Sequence, residues 1–315
     1  KVEASGAVNY YKDHFKQGAT VVPRNFYFVE LDQEPPASLD GRIVSVKTNE
    51  ERRKYASKRW KPIKLSGQVH SDYLYRTAIS SNIVPFAVIE PELVVLPIEV
   101  DGRQPEMKHW ENMVKEADLE TAEWFKEVEK EWEANKTDKS ETLTYLDRLD
   151  YQSGITEQDT RTPYLVMYTS SSQDANAAVF ARDEVDLTFM VEHKTYWFGT
   201  DDQDEAYFLA GFLNSAEPNR LIKSFQSRGL FGPRDVHKKI LEVPLNEFDS
   251  ANGKHQKIAA LSKSCTKEAD RYLREEKDTS KRSPYHLGRL RSSVRNHLAD
   301  RMEEIDRVIR SMIES

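Results

Sequence analysis

Hydrophobic and polar positions follow two periodicities along the chain, and each periodicity predicts its own set of elements. Runs of β-branched and aromatic residues predict strands at 19–31, 42–48, 93–100, 163–169, 177–181, 194–198 and 240–243. Apolar residues three and four positions apart predict helices at 69–80, 106–136, 203–214, 253–274 and 285–313. This combination favours an α+β fold, in which helices pack on a mixed, mostly antiparallel sheet.

Two of the helical segments predict how the chain is divided. The segment 106–136 is amphipathic and acidic, and we expect it to form a helical insertion, at about 105–140, on the surface of a sheet domain. The segment 285–313 has apolar residues near heptad spacing and follows the polar run 275–283, which is typical of a linker. We therefore expect a sheet domain at 1–265 and a C-terminal helical spacer at 266–315, whose apolar stripe needs a helical partner.

The charge of the chain is distributed unevenly. The formal net charge is −7, but residues 101–160 alone contain 17 acidic and 8 basic side chains. Two other stretches are basic: 41–64 has nine Lys and Arg against two acidic residues, and 219–239 has six against one. If these two stretches meet in space, they form a positive surface for nucleic-acid phosphates. The alternative is an ordinary solvated surface.

Sequence motifs for most enzyme classes are absent. The 12 glycines form neither a dinucleotide-binding turn nor a phosphate loop, and the eight histidines form no His-Glu-x-x-His motif. The single cysteine, Cys265, excludes an intramolecular disulfide and fits a cytoplasmic protein. No uncharged apolar run is long enough to span a membrane. We expect neither a catalytic residue nor a metal site, although Asp183, Glu192 and Lys194 leave open a metal-dependent endonuclease. A helical protein-interaction scaffold is a further alternative.

The segment Gln-Ser-Arg-Gly-Leu-Phe-Gly-Pro-Arg at 226–234 carries the clearest binding chemistry. Its side chains include Arg and Gln, which can read guanine and adenine edges in the major groove, and Ser, which can hold phosphates. Gly229 and Gly232 allow a sharp turn or a close approach of the backbone to a ligand. A tight basic turn without a ligand explains the same residues, so both interpretations stay open.

The order of several segments resembles the target recognition domain of restriction–modification N6-adenine DNA methyltransferases. The resemblance spans most of residues 7–265 and depends on the segments 18–25, 146–152, 163–169, 205–209, 213–215, 226–234, 236–238 and 243–255. No single segment is as diagnostic as a catalytic signature. The acidic segment at 105–140 has no counterpart in this pattern.

The resemblance implies that the chain recognises a sequence in double-stranded DNA. The residues expected to contact DNA are first Arg220, Lys223, Gln226, Ser227, Arg228 and Arg234, and then Arg24, Arg52, Arg53, Lys58, Arg59, His237 and Lys238. It also implies a catalytic domain in the same polypeptide, with a Gly-rich loop for S-adenosylmethionine and an Asn-Pro-Pro-Tyr-type motif for the extruded adenine. Neither motif is present in this sequence. We therefore expect a piece of a longer protein that binds no cofactor and does not methylate DNA by itself.

Overall fold

The computed structural model describes residues 8–34, 36, 38–229, 232–275 and 283–313. The strands are β1 Lys16–Gln17, β2 Val29–Leu31, β3 Ile43–Thr48, β4 Ser66–His70, β5 Leu74–Thr77, β6 Ile83–Val84, β7 Ala87–Val88, β8 Glu92–Val95, β9 Ile98–Glu99, β10 Glu106–Met107, β11 Tyr164–Thr169, β12 Ala177–Ala181, β13 Thr195–Thr200, β14 Ser227–Gly229 and β15 Gly232–Arg234. The α-helices are α1 Arg24–Tyr27, α2 Glu50–Arg53, α3 Trp110–Lys115, α4 Leu119–Asn135, α5 Tyr145–Leu149, α6 Gln203–Asn214, α7 Ala216–Ile222, α8 Gly253–Glu275, α9 Pro284–His297 and α10 Ala299–Ile313. The 3₁₀ turns are Tyr10–Asp13, Ser71–Tyr73, Ser80–Asn82, Asp138–Ser140, Tyr151–Ser153, Arg182–Glu184 and His237–Glu242.

The strands form small antiparallel sheets, which confirms the predicted α+β class. The largest has the order β1-β13-β11-β12, and a three-stranded sheet has the order β2-β3-β4. The remaining strands pair as β5 with β8, β6 with β7, β9 with β10, and β14 with β15. In the described part of the chain no helix is both long and apolar enough to cross a membrane.

The central four-stranded sheet is buried on both faces. Val166 and Tyr168 of β11 belong to the apolar cluster that includes α6 and α8, whereas Leu165 and Met167 belong to a second cluster with Phe180 and Trp197. This division follows from the strand period of two, which sends successive side chains to opposite faces. The β11, β12 and β13 predictions are confirmed, because runs of apolar residues suit strands covered on both sides.

The acidic segment forms helices as predicted, but it is interrupted and contributes to the core. α3 and α4 are separated at residues 116–118, where Ala117 has a φ of 64°. Trp124, Phe125, Val128 and Trp132 of α4 are buried together with the residues of β3 and β4. The charged side chains of this segment therefore mark the outer face of a helix that covers a sheet.

The C-terminal segment 285–313 also differs from its prediction, in the number of helices and in what covers its apolar stripe. The expected single helix is divided into α9 and α10, and the expected boundary at residue 265 falls inside α8. Its apolar stripe is covered within the chain, since it joins the same core as α6 and α8. The buried members of that stripe are Leu290, Val294, Leu298, Met302, Ile305 and Ile309. No partner is therefore needed to bury these residues.

Two arginines fasten α9 to the body of the protein through backbone carbonyl groups. The Arg291 guanidinium donates to Ile83 O at 2.9 Å, and burial lowers the pKa of Arg291 to about 10. Arg295 donates to Asn214 O at 2.9 Å and to Ala175 O at 2.8 Å. A buried guanidinium needs such acceptors, so α9 is held in one position on the sheet and α6.

Three other sequence predictions are wrong in element type. Residues 69–80, expected to be helical, contain the end of β4, a 3₁₀ turn and β5, because aromatic and β-branched side chains pair with β8. Residues 240–243, expected to be a strand, complete the 3₁₀ turn His237–Glu242, and they pair with no strand of the described residues. The strand expected at 19–31 is reduced to β2, because α1 precedes it.

Candidate nucleic-acid interface

The turn between β11 and β12, residues 170–174, is the point at which the basic stretch 219–239 is fixed. On one side, the His237 backbone N–H donates to Ser170 O at 3.0 Å. On the other side, Gln226 Nε2 donates to Gln173 O at 2.9 Å, and Lys223 Nζ lies 2.5 Å from an Asp174 carboxylate oxygen. The basic stretch therefore wraps around one turn of the central sheet.

The segment at 226–234 forms a two-stranded ribbon. Ser227 pairs with Arg234, and Arg228 pairs with Pro233, in an antiparallel register. Ser227 is exposed, and the Phe225 side chain just before the ribbon is 59% exposed. Residues 230 and 231 and the side chains of Arg228 and Arg234 lie outside the described part of the structure. A two-stranded ribbon is one of the shapes that fit the major groove of B-DNA.

Three of the first-ranked residues have structural partners that limit their contact with DNA. Gln226 is only 5% exposed, so its amide fixes the ribbon to residue 173. Lys223 is occupied by the ion pair with Asp174. Arg220 is exposed on α7, where it bonds Glu217 at 2.5 Å and contributes to a lowered pKa of that carboxyl group. We therefore leave Gln226 out of the residues that could read bases.

The basic stretch 41–64 also contains arginines whose guanidinium groups are bonded within the protein. Arg52 is buried and donates to Glu92 at 3.0 Å. Arg53 donates to Glu50 at 2.7 Å and to Lys61 O at 2.6 Å. Neither guanidinium is free to contact a phosphate, and their charges are balanced by carboxylates that the linear pattern did not take into account. Arg59 is exposed but bonds Asn135 O at 2.9 Å, whereas Lys58 is exposed.

A buried carboxylate, Glu192, organises the start of β13. Its oxygens lie 2.9 Å from Arg24 Nη2, 2.9 Å from His193 Nδ1 and 2.7 Å from the Lys194 backbone nitrogen. Burial by itself would raise the pKa of Glu192. The pKa is nevertheless lowered, because His193 contributes a hydrogen bond and a charge, Arg24 contributes a charge and the Lys194 N–H donates a hydrogen bond. Glu192 is therefore a buried anion, and Arg24 is its counter-ion.

This arrangement gives no support to the metal-dependent endonuclease. Both carboxylate oxygens of Glu192 are already bonded within the protein. Asp183 lies in the separate 3₁₀ turn Arg182–Glu184. Over the ranges that the structure describes, no group of three or more His, Cys, Asp or Glu side chains could hold a metal ion.

Gly18 permits the N-terminal segment to pass close to Glu192. Ala19 N donates to Val191 O at 2.7 Å, and His193 N donates to Ala19 O at 2.8 Å. A Cβ atom on Gly18 would lie 2.5 Å from Glu192 O, which is too close for any other residue type. The glycine that opens the first segment of the resemblance thus has a physical reason to be a glycine.

A cavity of about 430 Å³ lies beside this buried ion pair, and we call it the Lys194 cavity. It is lined by Val22, Pro23, Arg24, Tyr55, Ala56, Ser57, Trp60, Trp132, Thr137, Ser140, Arg148, His193 and Lys194. None of these lining residues is Asp or Glu, although the chain contains 53 acidic residues. Lys194 is exposed, and Arg148 is partly exposed. The cavity is therefore suited to an anion.

Lys194 also connects the cavity to the turn that carries the ribbon. Its carbonyl oxygen accepts hydrogen bonds from Ser170 N at 3.0 Å and from Ser170 Oγ at 2.9 Å. Ser170 in turn accepts from His237. Four residues of the first basic stretch, Tyr55, Ala56, Ser57 and Trp60, line the cavity, and the second stretch is bonded to the turn that Lys194 contacts. We call these parts together the basic face: the Lys194 cavity, residues 170–174, His237, Lys238 and the ribbon.

Sequence reasoning did not find most of the residues that make up the cavity. Lys194 was considered only as a member of a metal site, and Arg148, His193 and Tyr55 were not considered for DNA contact. These residues are far apart in sequence and are brought together by β13, α5 and the segment after α2. The local signal for this site was the Glu-His-Lys run at 192–194, whose last residue begins the predicted strand 194–198.

Two other clefts are lined by many carboxylates, unlike the Lys194 cavity, and together we call them the acidic clefts. They measure about 740 and 990 Å³ and share Asp40 and Asp186. The remaining carboxylates of the first are Asp72, Glu99, Asp101, Glu116, Asp118 and Glu120, and those of the second are Glu30, Glu34, Glu51, Glu90 and Glu92. Lys108 lies in the first lining and Arg52 and Arg76 in the second, so carboxylates still outnumber Lys and Arg by eight to one and seven to two. Such an excess of negative charge repels a polyanion.

Comparison with known proteins gives only structural similarities. No protein-family model matches this chain, and no curated protein matches it. The chain is similar to the type IIL restriction-modification enzyme MmeI, solved in complex with DNA, with 10% sequence identity and a TM-score of 0.49. It is also similar to the type IIG restriction endonuclease BpuSI, with 14% identity and a TM-score of 0.34. The matches cover 92% and 95% of this chain but 32% and 31% of those chains, so this chain spans about a third of their length.

Proposed function

We propose that this chain is the sequence-specific, double-stranded DNA recognition module of an adenine-specific DNA methyltransferase from a restriction–modification system. The observation that carries the proposal is the set of hydrogen bonds that tie Lys194, His237 and Gln226, the residue before the ribbon, to the turn at 170–174. In this proposal the carboxylate-free cavity and the ribbon, of which Ser227 is exposed, belong to one DNA-binding surface. The order of segments that resembles a target recognition domain is the second support.

In this proposal some residues of the basic face position the DNA duplex, and others recognise its base sequence. Lys194, Lys238 and Lys58 contact phosphates and set the position of the duplex. The ribbon enters the major groove, where Arg228 and Arg234 bond guanine and Ser227 contacts a base edge or a phosphate. The bond from Gln226 to Gln173 O ties the start of the ribbon to the turn between β11 and β12.

The methyl transfer itself is assigned to a catalytic domain elsewhere in the same polypeptide. That domain would bind S-adenosylmethionine and extrude the target adenine, while this chain selects the site. We assign no catalytic, metal-binding or cofactor-binding residue to this chain. The alternative of a helical scaffold has lost its main support, because the apolar stripes of α4, α9 and α10 are buried within the chain.

The proposal is tested by binding of the chain to pooled random duplex DNA. Fluorescence anisotropy at about 50 mM and about 200 mM salt measures the electrostatic part of the affinity, and sequencing of the retained DNA measures selectivity. We expect a steep salt dependence and an enriched motif. Salt-dependent binding without enrichment would contradict sequence recognition by this chain, and absence of binding at low salt would contradict a DNA-binding role.

A further inference from the structure

We propose that the Lys194 cavity binds one unpaired nucleotide of the DNA that lies on the basic face. This inference rests on the proposed function and adds to it a pocket that duplex recognition does not require. The ligand is a nucleoside monophosphate unit, with its phosphate on Lys194 and Arg148 and its base on Tyr55.

The size of the cavity fits a small ligand. Its volume of about 430 Å³ falls within the range of roughly 300–1,000 Å³ in which small-molecule sites are found. A paired and stacked base cannot enter such a recess, because its neighbours in the duplex hold it in place. Only a nucleotide that has left the stack can fill the cavity.

The charge of the cavity favours a phosphate. Arg24 is matched by Glu192 at 2.9 Å, so that pair contributes little net charge. Lys194 and Arg148 remain, and the only further titratable groups among the lining residues are His193 and Tyr55. Arg148 is oriented by the Tyr151 ring, whose centroid is 5.8 Å from its guanidinium carbon. Two cations with no carboxylate in the lining attract one phosphate group.

The aromatic side chains of the cavity provide a place for the base. Trp60 is already stacked on Trp132, with ring centroids 5.6 Å apart, and its edge contacts Phe26. These rings form a fixed wall. Tyr55, in contrast, is 60% exposed and is in none of the ring pairs found among the described residues. An exposed aromatic ring beside cations is the arrangement on which unpaired bases stack.

Polar groups at the other side of the cavity can bond the edge of a base. The Thr137 and Ser140 hydroxyl groups lie 2.8 Å from each other in an exposed position. Each hydroxyl can donate or accept, so the pair tolerates more than one base. The backbone of Lys194 is bonded to Ser170 of the turn at 170–174, and in this proposal a strand that follows the basic face passes the mouth of the cavity.

The test compares three probes: deoxyadenosine 5′-monophosphate, a duplex with one bulged nucleotide, and the same duplex without the bulge. We expect the mononucleotide to change tryptophan fluorescence in the wild type. We also expect the bulged duplex to bind at least about fivefold more tightly than the paired duplex by anisotropy. Tyr55→Ala should remove this preference, and Tyr55→Phe should keep it. Lys126→Ala, an exposed lysine of α4, serves as the matched surface control.

The outcomes separate the two proposals. Equal affinity of the wild type for the two duplexes would overturn the nucleotide pocket and leave the DNA recognition function in place. Binding of neither duplex would overturn both. Binding of the mononucleotide without any binding of DNA would assign the cavity to a free nucleotide, which contradicts a nucleotide of the bound strand. Loss of the bulge preference in Tyr55→Phe as well would contradict stacking on the ring.

Discussion

The cavities at the two ends of helix α4 differ in the charge of their linings. At its start, Asp118 and Glu120 belong to the first acidic cleft, whereas at its end Trp132 lines the carboxylate-free Lys194 cavity. About 12 residues separate the two ends, which corresponds to about 18 Å along the helix. The difference teaches that the net charge of −7 is spread unevenly over the surface, since carboxylates line the acidic clefts and none lines the Lys194 cavity.

The largest effect is expected at the ion pair beneath the cavity. Arg24→Ala leaves the fully buried Glu192 carboxylate without its guanidinium partner, and we expect a loss of about 3–5 kcal/mol in the free energy of unfolding. Chemical denaturation measures this loss, and Lys126→Ala should change stability by less than about 0.5 kcal/mol. If Arg24→Ala kept its stability and lost only DNA affinity, Arg24 would belong to the binding residues instead.

The same pair predicts how stability depends on pH. The pKa of Glu192 is lowered in the folded protein from an ordinary value of 4.5, so the folded state favours the charged carboxylate. The stability that results is present above pH 4.5 and is lost as the pH falls through the lowered pKa. Denaturation curves of Glu192→Gln should therefore depend less on pH in the acid range than those of the wild type. Parallel curves for the two proteins would argue against a charged Glu192.

An intermediate effect, on the free energy of DNA binding, is expected for a substitution in the ribbon. Arg228→Ala should cost about 1–3 kcal/mol of binding free energy on the preferred DNA sequence and less on other sequences, because a bidentate contact to guanine is lost. Anisotropy with the enriched duplex and a scrambled duplex measures the difference. An equal loss on both duplexes would show that Arg228 contacts only the backbone.

The smallest effect is expected at the margin of the basic face. Lys58 is exposed next to residues 55–57 of the cavity, and in the proposed complex its ammonium group contacts a phosphate. Lys58→Ala should weaken binding to all sequences alike and reduce the slope of log affinity against log salt by about 1. Titrations at several salt concentrations measure this slope. A sequence-dependent loss would contradict the assignment.

The elements that could be predicted from the sequence have strong local signals. The bounds of α6 agree with the prediction at both ends, because the Asp202 side chain accepts hydrogen bonds from Asp204 and Glu205 N–H groups and Ser215 leaves the helical conformation. β3 and β11 agree to within a residue for a similar reason, since each is a continuous β-branched or aromatic run. Local signals do not determine which strands pair. Residues 69–80 were predicted to be helical because the pairing of β5 with β8 has no local signal.

The candidate site was predicted less well than the fold. A linear count of charges includes Arg52, but it cannot show that Glu92, forty residues later, neutralises it. Gln226 was expected to contact DNA because its amide can read a base edge, but that amide donates to Gln173 O. Lys194 lies outside both basic stretches. Its backbone is held by two hydrogen bonds, from Ser170 Oγ to Lys194 O and from Lys194 N to the Glu192 carboxylate. The charge pattern therefore includes the exposed Lys58 and Lys238, but it includes the paired Arg52 as well and omits Lys194.

The most direct test of the difference between the two regions is a pair of charge reversals. Lys194→Glu places a negative charge in the cavity, and Asp72→Lys removes one from the exposed edge of an acidic cleft. We predict that Lys194→Glu weakens duplex DNA binding at low salt by roughly tenfold or more, or about 1.4 kcal/mol, whereas Asp72→Lys changes it by less than about twofold. Equal effects of the two reversals, or an unchanged affinity of Lys194→Glu, would contradict the assignment of the basic face as the DNA-binding surface.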